Sequence, residues 1–236
     1  MGTPLAFYRW TELDRTSWPA FRDAAGAFEA GGDVRPRAHA GTPRVALPKP
    51  RARRLSPLDR ALTARRSARK LSIDPISDRD LGHLLYFSHG AVDTGGRGPT
   101  PSAGGLQALE LYVVRFGDGA FHYDRGGHHL SRLGGADRAD WRTRVPSLDL
   151  VEGGSLLWLI VGDVERVEPK YGARGLRFLL LEAGHLMQNL CLVSASLKRT
   201  TVPLGAFLER DIASALHLPD SDLVLYAGLC GAPEKA

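Results

Sequence analysis

The sequence predicts an α+β domain, and three stretches carry that prediction. Leu109 to Phe116 (LELYVVRF) has the composition of a strand, and Gly117-Asp118-Gly119 turns it into a partner strand, Ala120 to Tyr123. Ser155 to Gly162 (SLLWLIVG) is a near-continuous apolar run of strand length, as a central strand requires. Gly172 to Leu197 reads as one long, largely buried helix. Helices and strands follow one another without regular βαβ alternation, which favours α+β over a doubly wound sheet.

The remaining elements follow in chain order. Residues 1 to 27 mix aromatics (Phe7, Tyr8, Trp10, Trp18, Phe21) with charge and read as a short helical arm packed on the body. Residues 28 to 55 are rich in Gly, Pro, Ala and Arg and read as an extended linker, with Leu47-Pro48 touching the body. The chain thus divides into an arm and linker, 1–55, and a compact domain, 56–236. Ser56-Pro57 provides a capping oxygen and a first-turn proline for a helix to about Arg66. Ser77, followed by Asp78 and Asp80, starts a second helix through Leu81, Leu84, Leu85 and Phe87, and Gly90 ends it. After the long helix come a short extended piece, Thr200 to Phe207, a helix from Leu208 to Leu216, and a final apolar strand from Leu223 to Cys230.

Composition excludes several classes. With 43% apolar and 24% charged residues the chain has the balance of a folded soluble domain, not of a disordered one. Cys191 and Cys230 lack CxxC spacing and suggest no disulfide framework, which suits a reducing cytoplasm. Met1 to Trp18 carries Arg9, Glu12, Asp14 and Arg15, unlike a signal peptide. The apolar run near Leu176 to Leu197 is broken by Arg177, Glu182, His185, Gln188 and Asn189, too many polar groups for a membrane span. The net charge is +5, and more than the whole excess lies between Arg35 and Lys70. That bias suits a phosphate, nucleic acid or an acidic peptide, or else a solvated arm with one anion site.

Five segments could carry chemistry. In Arg65-Arg66-Ser67-Ala68-Arg69, guanidinium forks match phosphate oxygens and a serine hydroxyl adds a donor; the alternative is a solvated helix end. In Arg97 to Gly105, glycines let backbone approach a flat ligand and Ser102 offers a hydroxyl. No GxxxxGK loop or GxGxxG fingerprint is present. Pro169-Lys170-Tyr171-Gly172 closes a loop before the long helix and sets two proton carriers side by side. Glu182, His185, Gln188 and Asn189 have the spacing to share a helix face, in a subunit interface or beside a cofactor. No second Glu-x-x-His accompanies them to make a di-metal site. His122, His128 and His129 near Asp124 read as a surface turn, and no metal is assigned. Val202 to Phe207 holds a Pro/Gly bend whose amides can point at a ligand.

In order and spacing these pieces resemble the nitroreductase-like FMN flavoprotein family, and in it the SagB/McbC-type azoline (thiazoline/oxazoline) dehydrogenase branch. The resemblance covers roughly Leu47 to Gly231. It rests on RRSxR (Arg65 to Arg69), PSAGG-x(3)-LELYVV (Pro101 to Val114), GxR-x(6)-LEAGH-x(2)-QNL-x(4)-A (Gly172 to Ala195) and PLGAF (Pro203 to Phe207). The resemblance implies a central mixed or antiparallel sheet flanked by helices, in a homodimer with two FMN. Arg65, Arg66, Ser67 and Arg69 would hold the FMN phosphate and ribityl chain. Pro101, Ser102, Ala103 and Gly104 would bind the cofactor, with Ser102 to Gly105 facing the flavin across the dimer interface. Gln188 would line the site, and Leu204, Gly205 and Ala206 would set backbone amides against the ring. Ala206 stands where the family often has a second glycine. Only Lys235 is available as the family's basic C-terminal residue.

Lys170 and Tyr171 match the branch's catalytic pair. The activity implied is oxidation of thiazoline or oxazoline rings in a ribosomal peptide to thiazoles or oxazoles. Lys170 or Tyr171 would remove a ring proton or polarise the ring nitrogen while hydride leaves the neighbouring carbon. A peptide substrate and a cyclodehydratase partner are implied, and no nucleic acid or membrane. The alternatives are an NAD(P)H-dependent nitroreductase or quinone reductase, and an oxidase of carrier-bound intermediates in nonribosomal biosynthesis. A basic peptide- or nucleic-acid-binding module is a different class, for which no helix-turn-helix, zinc or aromatic-platform signature speaks.

Overall fold

The computed structural model describes residues 4–27 and 56–234. Leu47-Pro48 and Lys235 lie outside them.

The arm forms two helices, α1 (Pro4–Thr11) and α2 (Trp18–Ala27). It docks on the far end of the chain. The Tyr8 hydroxyl donates to the Val224 carbonyl, the Leu13 amide donates to the Glu209 carboxylate at 2.8 Å, and Arg15 pairs with Asp211 at 2.9 Å.

Helix α3 (Pro57–Ala64) starts as its sequence dictates. Ser56 accepts from the Asp59 amide and Asp59 answers to the Ser56 amide, a reciprocal cap. It stops two residues short of Arg66: Arg65 takes an extended conformation and releases the arginine segment into a connector. Strand β1 (Lys70–Leu71) follows, then α4 (Asp78–His89), capped by Ser77 and ended at Gly90.

Strands β2 (Leu109–Arg115), β3 (Gly119–Asp124) and β4 (His129–Gly134) form a meander. Next come α5 (Arg138–Arg144), β5 (Glu152–Gly153) and β6 (Leu156–Asp163). Helices α6 (Val164–Tyr171) and α7 (Gly175–Ser196), strand β7 (Thr200–Leu204), helix α8 (Glu209–Ala215) and strand β8 (Asp222–Gly231) complete the fold.

The main sheet is wholly antiparallel, in the order β4-β3-β2-β6-β8-β7. Parallel pairing occurs in the small β1–β5 ribbon and in a single bridge between Leu13 of the arm and Leu208. Strand β6 sits in the middle and alternates between two cores. Leu157, Leu159 and Val161 pack with Trp141, Leu148, Phe207 and Ile212 on one face. Leu156, Trp158 and Ile160 pack with Leu84, Leu179, Leu186 and Leu190 on the other. Burial on both faces explains why its sequence reads as a continuous apolar run.

Three expectations need correction. The long helix does not begin at Gly172. Asp163 caps a separate helix, α6, by accepting from the Arg166 amide at 3.0 Å, and Lys170 and Tyr171 form its last turn. Gly172, at φ +52, breaks the line before α7. The histidine segment is a hairpin, not only a turn: His122 lies on β3, and His129 opens β4. His122 pairs with Glu110, His128 with the Tyr123 hydroxyl and His129 with Asp124, and no metal-holding group of three is found among the described residues. Third, Thr200 to Phe207 is strand only as far as Leu204.

Taken together, the helical segments of Val164–Ser196 are long and apolar enough in composition to cross a membrane. Its apolar residues nonetheless have an internal use: Leu179, Ala183, Leu186, Met187 and Leu190 fill the second core.

Candidate active site

Helix α7 is the spine along which the candidate residues are arranged. The Arg65–Arg69 connector lies near its C-terminal half. Arg66, Ser67 and Arg69 are exposed and Arg65 is half-buried. Arg66 donates to the Thr63 and Arg65 carbonyls at 2.7 and 2.8 Å. Among the described residues no carboxylate pairs with Arg65, Arg66 or Arg69. Arg65 faces Cys191 of α7, where burial pushes the thiol up to about 11 and the arginine charge opposes the rise. Three like charges in five residues, left without a counter-charge, are a donor set that fits a phosphate.

The Pro101–Gly104 segment lies near the N-terminal half of α7. Ser102 is followed by a single 3-10 turn, Ala103–Gly105. The Ala103 amide donates to the Glu182 carboxylate at 2.6 Å, and the Gln107 amide donates to the Ser102 hydroxyl at 2.8 Å. Glu182 is almost fully buried, at 4% exposure. Burial raises its carboxyl above the ordinary range, while hydrogen bonds from Ala103 and Ser102 and the nearby His185 hold the rise back.

Lys170 and Tyr171 come to the same place from α6. Gly104 sits at φ +61, and a methyl group there would overlap the Lys170 ammonium and lie 2.5 Å from the Tyr171 hydroxyl. Both polar heads therefore close on one glycine. The ammonium is 5.4 Å from the Tyr171 ring centre, and Phe178 braces that ring edge-on at 4.8 Å.

The fourth group ends β7. Leu204 and Ala206 are buried and Gly205 is exposed. Ser147 holds the Ala206 carbonyl with its hydroxyl at 2.6 Å and its amide at 3.3 Å. Among the described residues no acceptor takes the Gly205 or Ala206 amide, so two donors stay available for a ligand. Gly205 and Gly184 of α7 line a cavity of about 310 Å³ with Leu180, Tyr8, Glu209 and Tyr226. Gly184 and Cys191 are two turns apart on α7, about 11 Å, a span that suits a flat ring at one end and a phosphate at the other.

The polar residues of α7 do not share one face. Glu182 points inward and His185 and Gln188 outward. Asn189 ties α4 to the glycine loop through the Ser88 carbonyl at 3.3 Å and the Thr100 hydroxyl at 3.1 Å. The outward face carries Leu180 and Leu181, 44% and 61% exposed, beside Gly184 and Gln188. Sequence reasoning missed two features: the bond from Glu182 to Ala103, which joins residues 79 apart, and the contribution of Tyr8 and Glu209 to the cavity. The periodicity of α7 marks Glu182 as inward, but nothing local names its partner.

Residues 62–231 match the nitroreductase family. A protein of Methanocaldococcus jannaschii named for the nitroreductases is 30% identical over 175 residues, which are 71% of this chain and 88% of the relative. A Ralstonia eutropha nitroreductase structure matches with a TM-score of 0.69 and 24% identity, over 87% of this chain and 97% of that one. A chain of the E. coli microcin synthetase McbBCD complex, with truncated pro-MccB17 bound, matches with the same TM-score, 0.69, at 18% identity. That match covers 95% of this chain and 96% of the other. At these identities the two structures share the fold with this chain.

Proposed function

Because this chain belongs to the nitroreductase family, whose members generally bind FMN, we propose that it oxidises thiazoline or oxazoline rings in a peptide to the aromatic azoles. The observation that carries this reading is the convergence of the Lys170 ammonium and Tyr171 hydroxyl on Gly104. A reductase that only relays electrons from a nicotinamide has no need of such a pair, whereas aromatising an azoline requires a ring proton to leave. The fold likeness to a chain of the microcin synthetase complex with truncated pro-MccB17 bound, over 95% of the present chain, agrees with it.

In this reading Arg65, Arg66, Ser67 and Arg69 hold the phosphate, and the Gly205 and Ala206 amides orient the ring. Leu204 buttresses that bend from the core, and Gln188 lines the outer wall. The segment Pro101 to Gly104 faces the site. Bound FMN supplies the two-electron acceptor. Oxidation removes two electrons and two hydrogens from the substrate ring. Lys170 or Tyr171 takes the proton from the ring carbon or polarises the ring nitrogen, and the other holds the donor network in place. The exposed Leu180 and Leu181 on α7 suit a twofold homodimer. A peptide substrate and a cyclodehydratase that supplies the azoline complete the proposal.

The 30% identical archaeal relative favours a second reading, an NAD(P)H-dependent nitroreductase, and one experiment separates the two. FMN-loaded protein is offered an azoline-bearing peptide with oxygen and, separately, a nitroaromatic with NAD(P)H. The azoline reading expects azole formation, lost by about 10²–10⁴-fold in Lys170→Ala and strongly reduced in Tyr171→Phe with flavin absorbance unchanged. Nitroaromatic reduction that survives both substitutions, with no azole formed by the parent, overturns it.

A further inference from the structure

We infer that Glu182 is a positioning residue that holds the Ser102–Gly104 turn against the Lys170–Tyr171 pair; this rests on the azoline reading for its catalytic meaning. The carboxylate comes from a buried position on α7 and accepts the Ala103 amide at 2.6 Å. Only local bonds hold that turn apart from this one. They run from Gly105 to Ser102, from Leu106 to Ala103 and from the Gln107 amide to the Ser102 hydroxyl, and Gly104 adopts a left-handed conformation with no side chain to pack. Pro101, Gly104 and Gly105 are exposed and Ser102 and Ala103 only half-buried, so the fully buried group bonded to the turn is Glu182. The pair in turn rests on Gly104, with space only for a hydrogen between them. A buried carboxylate that ties a loop to a core helix transmits the rigidity of the helix to the loop. Here it sets where the ammonium and hydroxyl stand.

Glu182→Gln keeps an oxygen for the Ala103 amide, and Glu182→Ala removes it. Amide hydrogen exchange over residues 102–107 is measured in FMN-loaded protein, beside kcat and KM for an azoline peptide. Glu182→Ala is expected to speed exchange by at least about tenfold and lower kcat by roughly 10–100-fold. KM should stay within about threefold, because Glu182 is buried and does not itself reach a bound peptide. Glu182→Gln is expected to restore both quantities to near the parental values. Unchanged exchange in Glu182→Ala overturns the clamp. Faster exchange with parental kcat overturns the positioning role but leaves the functional reading standing. A parent protein without azoline turnover sinks the functional reading instead, and exchange alone then decides whether Glu182 holds the turn.

Discussion

The two ends of α7 present opposite kinds of site. Near its C-terminal half, Arg65, Arg66 and Arg69 stand with exposed or half-exposed charge and no carboxylate partner among the described residues. Near its N-terminal half, Glu182, Ala103, Gly104, Lys170 and Tyr171 already touch one another. In the proposed reading the first is a receptor whose energy is realised only when an anion arrives. The second is preorganised, its geometry fixed by internal contacts before any substrate binds. In the proposed reading one chain separates affinity from chemistry: charge near one end for grip, packing near the other for position.

The contrast can be broken first at the arginine end. Arg65→Ala combined with Arg69→Ala should weaken FMN binding by about 10²–10⁴-fold, since each charge-assisted hydrogen bond is worth roughly 1.5–3 kcal/mol. The melting temperature of the cofactor-free protein should barely move, because neither side chain has a hydrogen-bond or ion-pair partner among the described residues. Fluorescence titration with FMN beside calorimetry measures both, and a large loss of intrinsic stability would show that the arginines are structural.

Gly104→Ala should act the other way. The new methyl group meets both the ammonium and the hydroxyl, at a backbone angle that disfavours a side chain. Turnover should fall by about 10²-fold with FMN affinity little changed. Equal losses in turnover and FMN affinity would merge the two regions into one and remove the distinction.

The smallest expected effect concerns the arm. Burial pushes the Glu209 carboxyl up to about 7, its own and the Leu13 amides pull it back, and the Glu12 charge adds to the rise. The folded chain therefore binds that proton more tightly than the unfolded chain. Stability should be full at low pH and fall as pH rises from the ordinary carboxylate range through about 7, then level off. Glu209→Gln should flatten this slope between about pH 5 and pH 8, with a gain at the alkaline end no larger than about 2 kcal/mol. Thermal melts across that range test it, and identical slopes in parent and variant would refute it.

Much of this was legible in the residues themselves. Ser56-Pro57 and Ser77-Asp78 named two helix starts, and Gly117-Asp118-Gly119 named the hairpin that joins β2 and β3. These are local decisions, taken by capping oxygens, proline and glycine within a few residues. Helix α6 escaped because its signals are weak: it is short and polar and carries Pro169 inside it. Strand β4 escaped because it lies at the sheet edge, where exposure removes the apolar alternation that marks a strand.

The sequence by itself determined the α+β class, the apolar stretches that become β2, β6, α7 and β8, and the cluster of guanidinium groups after α3. It could do so because propensity, periodicity and charge act over a few neighbouring residues. Only the tertiary structure decided that α7 gathers the arginine turn, the Gly205 bend and the glycine loop, and that Lys170 and Tyr171 meet Gly104. Those contacts join residues dozens of positions apart. They follow from the sheet order and the closure of two cores, which no short stretch of chain specifies alone.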